Sequence, residues 1–381
     1  MKSTQARGRA VRRVLMTTDT VGGVWTYALE LCRAFADAGV QVELATLGEP
    51  VTVPQAGEAA AVPGLRLHES TYRLEWMDAP WKDVRASGEW LLALEDALAP
   101  DVIHLNGYAH GALPWRAPSV VVAHSCVLSW WEAVLREPAP ARYARYRREV
   151  QRGLRAVDRV VAPSAAMLGA LERHYGPLLP PTCVIPNARR AGSFTAAPKE
   201  LFVLAAGRLW DEAKNLSALE AVAPRLACPV RVAGELRHPG SGKVARARNT
   251  EPLGPLSPEA LAAWMARAAI YAMPVRYEPF GLSALEAALS GCALVLGDIP
   301  SLREVWADAA VFVHPEDLDG LTRALRGLLD DGAHRERMAA KARARALTWN
   351  PRRMAEDYLR LYATLRAWPV RHPAGLALGA P

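Results

Sequence analysis

The chain has 381 residues, 51% of them hydrophobic and 22% charged, with 46 Lys and Arg against 39 Asp and Glu for a formal net charge of +7. That length fits two ordinary domains, and no apolar run reaches the roughly 18 residues needed to cross a bilayer. The five cysteines, Cys32, Cys126, Cys183, Cys228 and Cys292, lie far apart and make no C-x-x-C pair, which argues against a zinc site or disulfide framework and for a reducing, cytoplasmic setting.

The first ten residues read as a frayed tail with no signal-peptide h-region. Residues 13–17 (RVLMT) are a buried-strand signal, and residues 25–38 carry Trp25, Ala28, Leu29, Cys32 and Phe35 at helical spacing. Between them DTVGGVWTY places Gly22 and Gly23 after a strand and before a helix. This is not G-x-G-x-x-G, so the dinucleotide fingerprint is absent. The pair serves either a tight turn or the close approach of backbone to a ligand. Further short apolar runs follow at 40–46, 102–105, 120–123 and 160–162. His104 and His124 fall at the ends of two of them, where side chains point into the crevice of an open α/β sheet. His124 ranks first. Residues 142–159 (RYARYRREVQRGLRAVDR) read as a helix with Arg on most faces. It is either a solvated surface or a rest for anionic lipid headgroups, and the solvated reading is favoured because a large apolar stripe is missing.

The strand rhythm stops at 184–186 and restarts at 201–205. Residues 187–199 lack periodicity and read as a linker. The second series continues at 230–233, 270–273, 293–296 and 310–313. Strands alternating with helices predict parallel sheets built of right-handed crossovers. In AAGRLWDEAKN a strand end is followed by Arg208 and, six residues on, Lys214. On spacing alone these are two solvated cations. Farther on, RYEPFGLSALEAALSGCALVLGD sets Glu278 just past a strand and Gly281 at a helix start, with seven residues between Glu278 and Glu286. The unpaired amides at Phe280, Gly281 and Leu282 make an anion site, and the two carboxylates suit sugar or ribose hydroxyls. Asp317 and Asp319 fall at a helix start, where acids suit capping rather than metal binding. Residues 351–365 form a last helix with Met354, Tyr358, Leu361 and Leu365 on one face, ahead of a Pro/Gly/Ala tail.

From these motifs the chain resembles the retaining glycosyltransferases of family 4 over roughly residues 12 to 366. The resemblance implies a GT-B fold, α/β, with two Rossmann-like domains facing across a cleft. Residues 11–192 would form the acceptor-binding domain and 199–350 the nucleotide-sugar-binding domain. Residues 351–366 would be a helix crossing back to the first domain. It implies that Glu278 holds donor-sugar hydroxyls, Glu286 the nucleotide ribose, and Phe280, Gly281, Leu282, Arg208 and Lys214 the diphosphate. Gly22 and Gly23 would close over the donor phosphate, and His124 would stand near the donor sugar and attacking hydroxyl. No cofactor or metal is implied, since cations and amides can stabilise the departing diphosphate. The sequence departs from the family in reading H-S-C after the fifth strand and Ala188 after Asn187. The expected partners are a nucleoside diphosphate sugar and an acceptor hydroxyl of a glycan, lipid-linked sugar or small molecule. A peripheral contact with an anionic membrane surface stays open, and nucleic acid is excluded for want of a recognition motif. Two other readings stand beside the transferase: a nucleotide-sugar epimerase, and a non-catalytic GT-B binding protein. Trp76, Trp81, Trp90, Trp115, Trp130 and Trp131 in the first half either stack on sugar rings or fill a core.

Overall fold

The computed structural model describes residues 10–177, 180–238 and 242–367; the expected frayed tails at either end lie outside them. The first unit runs β1 (Arg13–Asp19), α1 (Gly23–Asp37), β2 (Gln41–Leu47), α2 (Val53–Ala60), β3 (Leu65–His68), α3 (Trp81–Leu98), β4 (Val102–Leu105), β5 (Ser119–Val122), α4 (Val127–Leu135), α5 (Ala144–Ala156), β6 (Arg159–Ala162), α6 (Ala165–Tyr175) and β7 (Thr182–Val184). The second runs β8 (Glu200–Ala206), α7 (Leu216–Val222), β9 (Val230–Ala233), β10 (Glu251–Gly254), α8 (Pro258–Arg267), β11 (Ala268–Met273), α9 (Leu282–Leu289), β12 (Ala293–Gly297), α10 (Pro300–Trp306), β13 (Val311–Val313), α11 (Leu318–Asp330) and α12 (Gly332–Ala346). A last helix, α13 (Pro351–Ala367), follows Trp349.

The sheets have strand orders β3-β2-β1-β4-β5-β6-β7 and β10-β9-β8-β11-β12-β13, with parallel pairing throughout. Strands buried on both faces read as continuous apolar runs. Val14 and Met16 of β1 face one core with α1, whereas Leu15 faces another with Ile103, Val121 and Leu154. Strand order reverses between β1 and β4 in the first sheet and between β8 and β11 in the second. Ligands of open α/β sheets bind outside the strand C-termini at such points.

Two strands escape sequence reading. β3 (LRLH) alternates with polar residues at a sheet edge, and β10 (EPLG) contains a proline there. The arginine-rich stretch is shorter as a helix than expected. Ala141–Tyr143 form a 3₁₀ turn, α5 ends at Ala156, and Arg159 already opens β6. Tyr146, Val150 and Leu154 turn that helix into the core, while Arg142 lies over Trp131 and Tyr143 and Arg145 over Trp81. Asp317 caps α11, accepting from the Gly320 amide at 2.7 Å. All five cysteines are free. Among the described residues no helix is long and apolar enough to cross a membrane.

Helix α13 leaves the second unit and packs on the first, where Met354, Ala355, Tyr358, Tyr362 and Leu365 join the core built by α1 and β1. Tyr362 is fully buried where periodicity had put Leu361, which is half-buried. Pro351 sits at the first helical position, and Asn350 Oδ1 accepts from the Arg353 amide at 2.9 Å. At the far end Arg366 pairs with Asp101 at 3.0 Å.

Candidate active site

On the second unit the candidate residues meet because two loops are bolted together. Asn215 Nδ2 donates to Pro274 O at 2.8 Å, Arg276 N to Ala213 O at 2.9 Å, and Arg276 Nη1 to Glu212 O at 3.0 Å. These bonds set the loop after β8 against the loop after β11. Lys214 Nζ then lies 2.6 Å from Glu278 Oε2. The other carboxylate oxygen accepts from the amides of Gly281 at 3.1 Å and Phe280 at 3.5 Å. Burial alone would push the Glu278 carboxyl up, but Lys214, the Phe280 amide and Arg208 hold it below the usual carboxylate range. Gly281 caps α9 with φ +92°, a left-handed backbone that disfavours a side chain. Arg208 is half-exposed; it reaches Asp211 at 3.5 Å and lies over Trp210.

The first unit faces this group across the cleft. A Cβ on Gly22 would stand 3.9 Å from Arg208 Nη1, and one on Gly23 3.7 Å from Leu282 Cδ1. Gly22 has extended backbone at φ −173°, and Gly23 is not left-handed. The turn therefore does not demand either glycine, and both lie where the two units approach. Asp19, at the end of β1, accepts from the Val21 amide at 3.0 Å and feels the Arg208 charge, while burial pushes its carboxyl up.

His124 is half-buried at the end of β5, its ring edge on Tyr27 with centroids 4.5 Å apart. Asn106 Nδ2 donates to Thr17 O at 2.7 Å, so its Oδ1 is the acceptor facing His124 Nε2 at 2.8 Å. Burial pushes the imidazole down to about 3. At neutral pH it is uncharged, with its proton on Nε2 and Nδ1 left as acceptor. His104 is not a cleft residue. It is fully buried behind His124, with Nδ1 2.5 Å from Tyr362 OH and Nε2 3.2 Å from Asn106 Oδ1. Its apolar run is a strand end that α13 covers, a fact no local pattern carries.

Several bridges span the cleft. Tyr277 OH accepts from the Cys126 amide at 3.1 Å and from Ser125 Oγ at 3.4 Å. This gives the H-S-C departure a partner from the second unit. Ser164 Oγ donates to Pro279 O at 2.8 Å, and Glu304 accepts from the Ala165 and Ala166 amides at 2.7 and 2.9 Å. Trp130 Nε1 donates to Asp211 Oδ1 at 3.0 Å. Glu286 does not sit with Glu278 and Lys214. It pairs with Arg189 at 2.8 Å, which also holds Glu30 of α1 at 2.9 Å. Burial pushes the Glu286 carboxyl up against the pull of Arg189. Sequence reading missed Asp19, Asn106, Tyr277 and Arg189. Asp19 and Tyr277 stand inside motifs it had already singled out; Asn106 and Arg189 lie in loops whose neighbours come from distant segments. A surface hollow of about 630 Å³ between α4, α5 and α6, lined by residues such as Glu132, Arg147 and His174, takes no residue from these motifs.

Two family models cover the chain in succession: Glycosyltransferase Family 4 matches residues 21–189 and Glycosyl transferases group 1 matches residues 193–345. A glycogen synthase of Mycobacterium tuberculosis is 29% identical over 373 residues, an alignment that takes in 85% of this chain and 86% of that protein. Among solved structures, sucrose-phosphate synthase from Thermosynechococcus elongatus superposes with a TM-score of 0.79 at 20% identity, covering 93% of this chain and 99% of that one. Anabaena Alr3699/HepE, solved in complex with UDP-glucose, superposes with a TM-score of 0.73 at 15% identity, covering 93% of this chain and 100% of that one.

Proposed function

The chain belongs to glycosyltransferase family 4, and from that premise we propose that it moves a sugar from a nucleoside diphosphate sugar to an acceptor hydroxyl, with retention and without a metal ion. One observation carries this reading. Lys214, Glu278 and the Phe280 and Gly281 amides form one cluster at the switch point of the second sheet, with Arg208 facing Gly22 across the cleft. At rest the Glu278 carboxylate takes the ammonium and the amides that a phosphate oxygen would take. When the donor binds, these cations and amides turn to the diphosphate, and the freed carboxylate accepts from sugar hydroxyls.

In the reaction the bond between the anomeric carbon and the diphosphate oxygen breaks. The acceptor oxygen attacks from the same face, and its proton passes to the departing phosphate oxygen. Arg208 and Lys214 stabilise the charge that gathers there. Neither cleft carboxylate is assigned as nucleophile: Asp19 is held by the Val21 amide, and Glu278 is engaged by sugar hydroxyls once the donor binds. Glu286 takes the ribose after exchanging its Arg189 contact. His124, neutral and oriented by Asn106, lines the sugar side of the cleft with Nδ1 as an acceptor.

The test incubates the enzyme with a panel of nucleotide sugars, beginning with UDP-glucose, and a mixed acceptor panel in EDTA. Transfer that survives EDTA, with a product of the donor's anomeric configuration by NMR, is expected. Loss in EDTA rescued by magnesium or manganese would overturn metal independence, and an inverted product would overturn retention. A donor sugar altered without any acceptor would point to an epimerase.

A further inference from the structure

The loop between β3 and α3 carries a feature the donor site does not use. The Met77 amide donates to Leu74 O at 2.9 Å, closing a turn whose two central residues are Glu75 and Trp76. Glu75 points inward: its carboxylate accepts from the Tyr108 amide at 3.0 Å and the Ala109 amide at 2.6 Å. Trp76 points outward and is 40% exposed. The turn is tied down elsewhere too, since Gly48 N donates to Tyr72 O at 2.8 Å and Arg73 Nη1 to Asp78 O at 3.2 Å.

The other five tryptophans singled out in the first unit have partners. Trp81 takes Arg145, Trp90 takes Tyr72, Trp115 donates to His110 O, Trp130 donates to Asp211, and Trp131 packs on Trp130 and Tyr143. Among the described residues Trp76 has no ring partner, cation or hydrogen bond.

Its position is also telling. The turn follows β3 at the C-terminal edge of the first sheet, the edge that faces the second unit. Leu74 reaches Gly48 beside Thr20 and Val21 of the glycine loop. Glu75 holds the Tyr108 amide, Tyr108 OH donates to Ser125 O at 2.6 Å, and Ser125 reaches Tyr277, the neighbour of Glu278. The turn that carries this large aromatic face is thus joined through Glu75, Tyr108 and Ser125 to Tyr277 beside the donor motif. The negative face of an indole attracts the weakly positive C–H groups on the flat side of a polyhydroxylated ring. Because the turn is already fixed, little ordering opposes binding.

We propose that Trp76 is the stacking platform for a six-membered polyol ring of the acceptor, a pyranose or a cyclitol. This rests on the donor reading above. The test is calorimetric titration of the wild-type chain, Trp76→Ala and Trp76→Phe. UDP and GDP are titrated first; then, with the nucleotide that binds held saturating, maltoheptaose, methyl α-D-mannopyranoside and myo-inositol, which separate a glycan, a single sugar and a cyclitol as source. Trp76→Ala is expected to lower affinity for the ring that binds at least tenfold and Trp76→Phe less than threefold, with nucleotide affinity and Tm unchanged. Equal ring affinity in Trp76→Ala would overturn the proposal, as would a wild-type chain that binds nucleotide but none of the rings. A wild-type chain that binds neither nucleotide would overturn the donor reading and this proposal with it.

Discussion

The two sheet edges that face each other across the cleft are built differently. On the second unit the polar groups come from two short stretches, 207–214 and 276–286, and the central ones pair with one another: Lys214 with Glu278, and Glu278 with the amides that follow it, while Tyr277 bonds Cys126 and Glu286 pairs with Arg189. On the first unit they come from separate loops and a distant helix. His104 bonds Tyr362 across 258 positions, and Tyr27 OH donates to Tyr358 OH across 331. The second edge is thus a chemical surface set on a core it does not hold together, whereas the first edge is continuous with its core. Substitutions on the second edge are expected to stop chemistry and spare the fold. On the first edge stability and activity should move together.

The strongest way to break this contrast is to remove α13 by ending the chain at residue 348. Met354, Ala355, Tyr358, Tyr362 and Leu365 would leave the first core. At ~1.5–3 kcal/mol for each of the four large side chains, the loss is on the order of 6–12 kcal/mol. Hydrogen exchange should show lost protection in β1, α1 and β4. Unaltered protection across residues 11–185 would mean that the helix does not hold that unit together.

Glu278→Gln tests the opposite edge. The neutral amide cannot pair with Lys214 as the carboxylate does, and the contact to sugar hydroxyls weakens. Turnover is expected to fall by roughly 10²–10³, while Tm moves by no more than a few degrees. A variant that unfolds as the truncation does would erase the distinction; near-normal turnover would remove Glu278 from the site.

The same contrast explains what could be read from sequence. Glu278, Gly281 and Glu286 lie within nine residues, and Arg208 and Lys214 within seven, so strand-end and helix-start signals alone bring each group to one sheet edge. The alternation of strands and helices and the apolar face of the last helix were legible for the same reason, because apolar periodicity is local; the return of that helix to the first unit was implied by the family resemblance instead. His104 was misplaced because its strand end is roofed by Tyr358 and Tyr362 from the other end of the chain. Asp19, Asn106 and Arg189 went unmarked because each takes its role from groups on other segments. β3 and β10 were missed because edge strands carry half the apolar signal of central ones.

Acid should destabilise the first unit ahead of the second. Burial pushes His104 and His124 down to about 3 and His110 to about 4, all in the first unit. In the unfolded chain a histidine titrates near about 6.5. All three native values are depressed, so the unfolded state binds more protons below that pH. The stability they contribute is full above about 6.5 and is lost as pH falls toward 4. The slope is about 1.4 kcal/mol per pH unit for each, or ~4 for the three. Glu278, also depressed, adds nothing until pH falls below its unfolded value near ~4.3. Urea unfolding at pH 7.5 and 5.5 should therefore show a loss confined to the first unit. His110→Gln should cut the slope by about a third. A flat response over that range would mean these histidines charge freely in the folded chain.

The smallest effect asks whether the first edge is wired to its core hydroxyl by hydroxyl. Tyr358→Phe keeps the ring that packs on His104 and deletes the oxygen to which Tyr27 OH donates at 2.7 Å. Tyr27 cannot pass that proton on to His104, whose Nε2–H is directed to Asn106 in the neutral tautomer that Tyr362 and Asn106 select. A buried donor is left unsatisfied, at a cost of about 1–2 kcal/mol. Removing the Tyr27 hydroxyl as well takes the orphan away, so the double variant Tyr27→Phe, Tyr358→Phe should be no less stable than Tyr358→Phe alone. Two costs that simply add would show that the hydroxyls act separately. The Tyr27 ring also abuts His124, so the single variant should lose several-fold in turnover, which the double variant partly restores. That joint movement of Tm and turnover is what Glu278→Gln should lack, and its absence here would leave the two edges alike.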